Sequence, residues 1–370
     1  GTYHVAERIA NNLNLSQEEK DVIKAAALLH DVGHAPYSHT LESILENETK
    51  KDHMDITKEI INGDLVIEDR NQPTVPEILE DNGISPEEVS DLIKGKGETT
   101  NLQDFTNEEG QSYFGEERYL YQIIHGPIDA DQLDYLLRDS HYTGAVHGVI
   151  DIERILQTIE IYNGNLVITK GGVPAVEGVL VARGLMFSSV YLHKTARIAE
   201  LMLAKAVNNL NEDLKSIYRM TDWELLSYLK SHGGFAEEVV NRIKYRDLYK
   251  KCFSLDESQI KDVKGIDLEN IGKLNEIRKL EKRIARKKHV SENKIIVDVP
   301  HEELKLSEPR LSKTRIKVLD EGKLFNLSKY SPLAYALQKR PTQQWTLMAS
   351  CPEELREEMG DIVRQVIIGK

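Results

Sequence analysis

The feature that most constrains this chain is a short helical stretch that is apolar on all sides and ends in two chemically active residues. A capping box at 16–19 predicts a helix that runs to about Asp31 and ends at Gly33. Within it Ala25–Leu29 are all apolar, which predicts a helix buried on every face. His30 and Asp31 follow, and such groups are costly to bury without partners. The chain therefore needs a helical core built around them.

The adjacent pair His30 and Asp31 suggests a metal site. One imidazole nitrogen and one carboxylate oxygen are a fair start on the ligand set of a divalent cation. The alternative is a buried histidine–aspartate pair held by backbone hydrogen bonds, and the pair alone leaves both interpretations open.

A second polar cluster lies in residues 128–142. At about 100° per residue, a helix here brings Asp131, Tyr135, Arg138 and Tyr142 into one arc, with three leucines opposite. A carboxylate, tyrosines and an arginine suit a metal, a sugar and a phosphate respectively. The alternative is an amphipathic helix whose polar face is exposed to water.

Composition narrows the class of protein. The chain has 370 residues, of which 40% are hydrophobic and 29% charged, and this excludes collagen-like and wholly disordered chains. A net charge of −13 argues against a protein that coats nucleic acid. No run approaches the roughly 18–20 apolar residues that cross a bilayer, and two cysteines make no disulfide framework. We therefore predict a cytoplasmic protein without a membrane partner.

The order of predicted elements indicates a mostly α fold with a small C-terminal α+β subdomain. Helices dominate up to about residue 210, interrupted by a hairpin at 158–169 around Asn163-Gly164. Polar stretches at 62–76 and 95–115 are typical of loops, and capping signals at Ser85 and Thr221 open further helices. Short strands are predicted at Ile295–Val299, Arg315–Leu319, Lys323–Leu327 and Trp345–Ser350, before a last helix from Pro352 to about Val366. We divide the chain into a core at 1–210, a helical extension at 211–290 and the α+β subdomain at 291–370.

Two long motifs carry a family resemblance. HDVGHAPYSH at 30–39 and DADQLDYLLRDSHYTG at 129–144 resemble the HD-domain metal-dependent phosphohydrolases. The residues of both motifs are most similar to those of the branch of deoxynucleoside triphosphate triphosphohydrolases (dNTPases). The resemblance is good over 1–210 and looser beyond it. It implies that the helical core is an HD-domain bundle.

The resemblance also implies a ligand set for the metal. His30, Asp31 and Asp131 match three of the family's four ligands, and the fourth, a histidine, would lie upstream of Gly1. Because the chain starts with Gly1 rather than Met, we expect its N-terminus to be truncated. The mixed N and O ligands do not choose among Mg²⁺, Mn²⁺, Fe²⁺, Ni²⁺ and Zn²⁺.

Further roles follow from the resemblance. His34, His39 and His53 are placed around the phosphates as catalytic residues, although Met54 stands where the family usually has Glu. The residues matched to substrate binding are Tyr135, Asp139, Arg183, Tyr191 and Lys194. Gln132 occupies a position where some relatives have a phosphate-binding lysine, which predicts weaker triphosphate affinity.

The implied reaction is hydrolysis of a dNTP to a deoxynucleoside and inorganic triphosphate. The resemblance further implies a homo-oligomer, dimer or tetramer, and possible use of an activating nucleotide. The basic segment 278–288 is typical of a solvated helix face, with an anion or nucleic-acid site as the alternative. Two other functions stay open: hydrolysis of another nucleotide or phosphate ester, and a catalytically impaired nucleotide-binding regulator.

Overall fold

Two compact units make up the chain. The computed structural model describes residues 1–67, 71–94, 118–210, 214–256, 259, 274–299, 316–338 and 346–368. The first unit takes Gly1–Ser38, Leu45–Met186 and Leu311–Arg340, and the second takes His39–Ile44, Phe187–Arg310 and Pro341–Lys370. The predicted loop at 95–115 lies outside the described residues.

Helices account for most of the described chain, as predicted. They are α1 (Thr2–Asn12), α2 (Gln17–Leu29), α3 (His39–Thr49), α4 (His53–Asn62), α5 (Val75–Asp81), α6 (Pro86–Lys94), α7 (Arg118–His125), α8 (Ala130–Thr143), α9 (Ile152–Thr158), α10 (Val173–Met186), α11 (Lys194–Asn208), α12 (Asp222–Ser231), α13 (Gly234–Lys244), α14 (Leu274–Lys288), α15 (Pro332–Gln338) and α16 (Arg356–Ile368). The strands are β1 (Ile159–Tyr162), β2 (Asn165–Thr169), β3 (Lys250–Leu255), β4 (Ile296–Asp298), β5 (Lys317–Asp320), β6 (Lys323–Asn326) and β7 (Leu347–Cys351).

Local capping chemistry sets the helix starts. Ser16 Oγ accepts from the Glu19 N–H (3.2 Å), and Glu19 Oε2 accepts from the Ser16 N–H (2.6 Å). A second reciprocal pair at Thr221 opens α12. The predicted end of α2 at Gly33 was wrong, because the last helical residue is Leu29. The predicted loop at 62–76 also ended too late, since α5 begins at Val75.

The apolar segment of α2 is not buried on every face, so that prediction was wrong. Ala25, Ala26 and Ala27 are buried, but the side chain of Leu28 is 68% exposed. Leu28 lines an open apolar groove together with Tyr3. A helix with one solvent-exposed leucine is compatible with a helical core, because isolated exposed apolar residues are ordinary.

The first unit holds a four-stranded sheet in the order β1-β2-β5-β6. The predicted hairpin is confirmed: β1 and β2 pair antiparallel, and Asn163 and Gly164 at its tip have φ of 48° and 69°. β2 then pairs in parallel with β5, with Ile168 opposite Val318. The sheet therefore joins two segments that are distant along the chain.

The second unit holds a three-stranded sheet in the order β3-β7-β4. Buried residues of this sheet share one core with α14 and α16. This core includes Leu347 of β7, Ile284 of α14 and Met359 of α16. β3 lies within the segment predicted to be helical and was missed. The strands of 291–370 divide between the two sheets. The fold class, mostly helical with a C-terminal sheet-containing region, is confirmed, while the division at 210 and 290 stays a prediction.

One described segment, Lys170–Tyr191, is long and apolar enough to cross a membrane by length and composition alone. Half of its most apolar window is buried inside the protein. It includes α10, which has nine buried residues, among them Val179 and Arg183. A buried core helix satisfies the same length and composition criteria.

Candidate metal and phosphate site

The end of α2 presents a buried histidine nitrogen that makes no hydrogen bond of good geometry. His30 follows the last residue of α2, and its Nδ1 lies 3.1 Å from the Ala27 carbonyl oxygen. A carbonyl can only accept, so Nδ1 carries the hydrogen and Nε2 has the lone pair. That Nε2 is buried and makes no hydrogen bond. A metal-ligating histidine has this arrangement, with one nitrogen donating to a carbonyl and the other directed at the ion.

Two carboxylates face the same nitrogen. Asp31 Oδ2 lies 3.4 Å and Asp131 Oδ1 3.6 Å from His30 Nε2. Asp131 is in the first turn of α8, and its Oδ1 accepts a hydrogen bond from Thr2 Oγ1 (3.1 Å). Asp31 is 56% exposed whereas His30 is 13% exposed, so this group of atoms opens to solvent on one side. The structure thus brings together all three predicted ligands.

Electrostatics tie these three groups together. Burial alone would lower the pKa of His30, but the carboxylates of Asp131 and Asp31 outweigh it and raise that pKa. Burial would likewise raise the pKa of Asp131, but His30 and Thr2 hold it below its usual value. The donor set therefore favours positive charge at its centre, whether a proton or a divalent cation supplies it.

A second group of potential ligands adjoins the first. One ligand atom each from Asp31, His34 and His53 lies within 4.8 Å of the others. Asp31 Oδ1 is 3.7 Å from His34 Nε2, while its other oxygen faces His30. The rings of His34 and His53 stack with centroids 4.0 Å apart at 12°. Two of the three predicted catalytic histidines thus lie next to the predicted metal ligands.

Thr57 holds this turn against α4, a role that the sequence motifs did not reveal. The Gly33 N–H donates to Thr57 Oγ1 (2.9 Å), and Thr57 Oγ1 donates to the His30 carbonyl (3.4 Å). A Cβ at Gly33 would come within 2.3 Å of the His53 carbonyl oxygen, so only glycine fits. Because α4 also carries His53, these hydrogen bonds help to fix the position of His53 relative to His30.

The polar stripe on α8 is only partly directed at this site. Leu133 and Leu136 are buried, as predicted. Tyr135 is mostly buried, and burial raises its pKa to about 12. At the far end Arg138 pairs with Asp134 (2.7 Å), and Tyr142 is 81% exposed. The solvated-face alternative therefore describes the C-terminal part of α8.

Arg183 reaches α8 through Gln132. Arg183 Nη1 donates to Gln132 Oε1 (3.0 Å), and Gln132 Nε2 donates to Asp129 Oδ2 (2.8 Å). Asp129 caps α8, and burial with the nearby charge of Asp131 raises its pKa to about 7. Neither its capping role nor its link to Arg183 was predicted from the sequence. Gln132, at the position where some relatives have a phosphate-binding lysine, therefore bridges the Asp129 carboxyl group and the Arg183 guanidinium group.

His125 is a site neighbour that the sequence did not reveal. It ends α7, outside both motifs, and its Nε2 is buried without a hydrogen-bond partner. Burial, with smaller contributions from His30 and His53, lowers its pKa to about 4. His125 is therefore neutral at pH 7.

Three predicted site residues belong to the second unit. His39 opens α3 and its Nδ1 lies 2.8 Å from Glu42 Oε2. Tyr191 ends a π-helical turn, where its ring meets that of Phe187 edge-on at 5.0 Å. Lys194 is the exposed first residue of α11. Their roles stay predictions, as does that of Asp139, which is half-buried on α8.

The basic segment 278–288 forms most of α14, and many of its cations are paired. Lys205 binds the buried Glu281 at 2.7 Å. The cations pair as follows: Lys279 with Glu276, Lys282 with Glu292, Lys288 with Glu358, Arg278 with Asn208 and Arg283 with the Val366 carbonyl. This pairing favours a structural, solvated face.

Comparison with known proteins identifies the two parts of the chain. The HD domain profile matches residues 1–139, and the HD associated region matches residues 150–368. An uncharacterized protein of Methanocaldococcus jannaschii is 28% identical over 98% of this chain and 69% of its own length. Uncharacterized YwfO of Bacillus subtilis is 30% identical over 56% of this chain and 42% of its own.

A more distant relative has a named activity. The deoxynucleoside triphosphate triphosphohydrolase SAMHD1 homolog of Dictyostelium discoideum is 24% identical over 68% of this chain. The chain spans 49% of that relative and, as above, 42% of YwfO, so it covers less than half of either.

Solved structures agree on the fold. A hypothetical protein from Aquifex aeolicus superposes with a TM-score of 0.67 at 25% identity, covering 98% of this chain and 85% of its own. A phosphohydrolase from Bacteroides thetaiotaomicron gives 0.63 at 19% identity over 95% and 86%, a likeness of fold alone. With an HD domain followed by its associated region along nearly the whole sequence, the chain belongs to the HD-domain phosphohydrolase family.

Proposed function

We propose that this chain hydrolyses deoxynucleoside triphosphates to a deoxynucleoside and inorganic triphosphate, with a divalent cation bound at His30, Asp31 and Asp131. The observation that carries the proposal is the meeting of the Asp31 and Asp131 carboxylates at His30 Nε2, a buried nitrogen that makes no hydrogen bond of good geometry. The choice of a dNTP is supported by the named activity of the Dictyostelium relative and by the two sequence motifs.

The residues fit a divalent cation on chemical grounds. His30 Nε2 is a buried acceptor without a donor, and two carboxylates approach it from different elements. When bound, such a cation polarises a phosphoryl oxygen and lowers the pKa of a coordinated water. The mixed nitrogen and oxygen set does not select one metal among Mg²⁺, Mn²⁺, Fe²⁺, Ni²⁺ and Zn²⁺.

Nearby side chains supply charge and proton handling in this proposal. Arg183 provides a fixed positive charge that offsets charge developing on the phosphates. His34 and His53 lie next to Asp31 and can transfer a proton between the attacking water and the leaving group. Tyr135, nearly one turn of α8 beyond Gln132, supplies the aromatic ring that we assign to the sugar. Asp139, on the same helix as Asp131, is assigned the substrate contact predicted above. The catalytic role of His39 and the substrate contacts of Tyr191 and Lys194 stay predictions.

A second candidate is a phosphatase that acts on a smaller phosphate ester. The observation that favours it is Gln132, which replaces a cation with a neutral amide and binds both Asp129 and Arg183. A site with less positive charge suits a substrate with fewer phosphates.

Product analysis separates the two candidates. The chain is incubated with each of the four dNTPs and with dNMPs in the presence of Mn²⁺, and the products are resolved by anion-exchange chromatography. The proposal predicts inorganic triphosphate and deoxynucleoside in equal amounts. Orthophosphate from a dNMP, with intact dNTPs, would instead select the second candidate.

A matched pair of variants links the products to this site. Asp131→Asn keeps the size of the side chain and removes the charge at the ligand position. Asp81→Asn makes the same change at an exposed residue at the end of α5. Activity must disappear in the first variant and persist in the second. Turnover by both would place the hydrolysis outside this site.

The oligomeric state, the use of an activating nucleotide and the cellular location of this protein are further parts of the proposal. A homo-oligomer, an activating nucleotide and a cytoplasmic location are supported by the resemblance to dNTPases.

A further inference from the structure

The only two cysteines in the sequence come together in the sheet of the second unit. Cys252 lies in β3 and Cys351 is the last residue of β7, and these strands pair antiparallel. The register shifts between Lys251 and Phe253, so Cys252 is the extra residue of a β-bulge. The two side chains are close enough that each thiol shifts the pKa of the other.

The two cysteines have unequal access to solvent. Cys351 is completely buried in the core shared with α14 and α16. Cys252 is half-buried, and its thiol lies 3.3 Å from the Ala349 carbonyl oxygen. It also lines an open cavity of about 330 Å³, so a small solute can reach it. One thiol is therefore reachable and the other lies directly behind it.

Positive charge surrounds the reachable thiol. Lys251, Arg356 and Arg364 line the same cavity as Cys252. The interaction with Cys351 and the charge of Arg356 lower the pKa of the Cys252 thiol against the opposing effect of burial. The interaction with Cys252 and burial raise the pKa of the Cys351 thiol. The greater exposure of Cys252 and the cations around it suit an attacking thiolate, and the buried Cys351 suits a resolving thiol.

The backbone holds the bulge in place. Gly360 of α16 sits over β3, and a Cβ there would come within 2.7 Å of the Cys252 carbonyl oxygen. The glycine thus allows α16 to pack directly on the bulge. The helix that carries Gly360 therefore covers the same bulge that carries the reachable thiol.

We propose that Cys252 and Cys351 form an oxidation site that reacts with a small hydroperoxide to give a disulfide. With hydrogen peroxide as the hydroperoxide, the Cys252 thiolate attacks one oxygen, the O–O bond breaks, and the leaving hydroxide takes up the thiol proton as water. The Cys351 sulfur then attacks the sulfenic sulfur of Cys252, the S–O bond breaks, and the hydroxyl leaves with the Cys351 proton as a second water. Two thiols are oxidised and one hydroperoxide is reduced.

The test uses the whole chain and hydrogen peroxide, with a chelator present to suppress metal-catalysed oxidation. Thiols are counted after denaturation, and intact mass and disulfide-linked peptides are measured. We expect both thiols to disappear, the mass to fall by two hydrogens, and one peptide to join the two cysteines. Dithiothreitol should restore both thiols. Retention of both thiols, or a disulfide only between separate chains, would overturn the proposal.

Single variants separate the two roles without relying on hydrolytic activity. Cys351→Ala should leave a sulfenic acid on Cys252 that dimedone traps. Cys252→Ala should slow the loss of the remaining thiol by more than about tenfold, because Cys351 is buried. Equal oxidation rates for the two variants would contradict the assigned order of attack. Since only thiol chemistry is measured, the outcome is independent of the proposed phosphohydrolase function.

Discussion

At the scale of single residues, the site depends on groups that carry no charge. Thr57 connects α4 to the turn that follows α2 by two hydrogen bonds. Thr57→Val keeps the shape and removes the hydroxyl, so we expect a loss of about 10- to 100-fold in Mn²⁺ affinity, as for other supporting hydrogen bonds at metal sites. Thr57→Ser retains the hydroxyl and should retain most of the affinity. Equal affinities in all three proteins would remove Thr57 from the site.

His125 makes a prediction about pH. Its folded pKa of about 4 lies below the unfolded value of 6.5. Between these pH values His125 is protonated in the unfolded chain but neutral in the folded chain. The free energy of unfolding therefore falls as the pH drops from about 6.5 to about 4. Over this pH range the titration of His125 lowers the free energy of unfolding by about 3 kcal/mol in total.

Denaturant unfolding at a series of pH values measures this contribution. His125→Phe should lose it and show a flatter dependence on pH than the parent chain. His141→Phe changes an exposed histidine and serves as the control. An unchanged slope in His125→Phe would show that the buried ring is not the titrating group.

The residue scale also shows how far the sequence could be read. His30, Asp31 and Asp131 were predicted because their motifs are compact, and the structure brings them together. Thr57 and His125 were missed because their roles exist only through tertiary contacts. No local pattern distinguishes a threonine that binds a distant turn from one that supports a helix.

At the scale of elements, short-range signals predicted where helices begin and where the hairpin turns, whereas the long-range pairing of strands was not predicted. The capping boxes and the Asn163-Gly164 turn act within a few residues, so α2, α12 and the β1–β2 hairpin were predicted. β3 was missed because a bulge at Cys252 interrupts its alternation. The parallel pairing of β2 with β5 joins residues too far apart for any local signal.

A buried ion pair anchors α14. Glu281 is buried, accepts from the Val297 N–H (2.9 Å), and binds Lys205 at 2.7 Å. Glu281→Ala leaves the Lys205 ammonium with the Ile295 carbonyl but without a carboxylate, and should lower the free energy of unfolding by about 3–5 kcal/mol. Urea unfolding measures the change. Adding Lys205→Met should recover part of the loss, and a fully additive loss would show that the two charges do not interact.

At the scale of the whole molecule, every atom of the candidate metal site comes from the first unit. A ligand that binds only the folded site stabilises it, by about 2.7 kcal/mol at a free concentration of 100 times Kd. Removing divalent metal with a chelator should therefore lower the unfolding temperature of the first unit. Calorimetry with and without Mn²⁺ shows the shift, and Asp131→Asn should abolish it. A shift of equal size in that variant would place the ion elsewhere.

Mn²⁺ binding by equilibrium dialysis is the most direct measurement of the central claim. The parent chain and Asp81→Asn are predicted to bind Mn²⁺ with equal affinity. Asp131→Asn is predicted to bind it more than about a hundredfold more weakly, beyond the loss caused by removing a supporting hydrogen bond. Unchanged Mn²⁺ affinity in a folded Asp131→Asn protein would contradict the shared ligand set, and with it the proposed hydrolase.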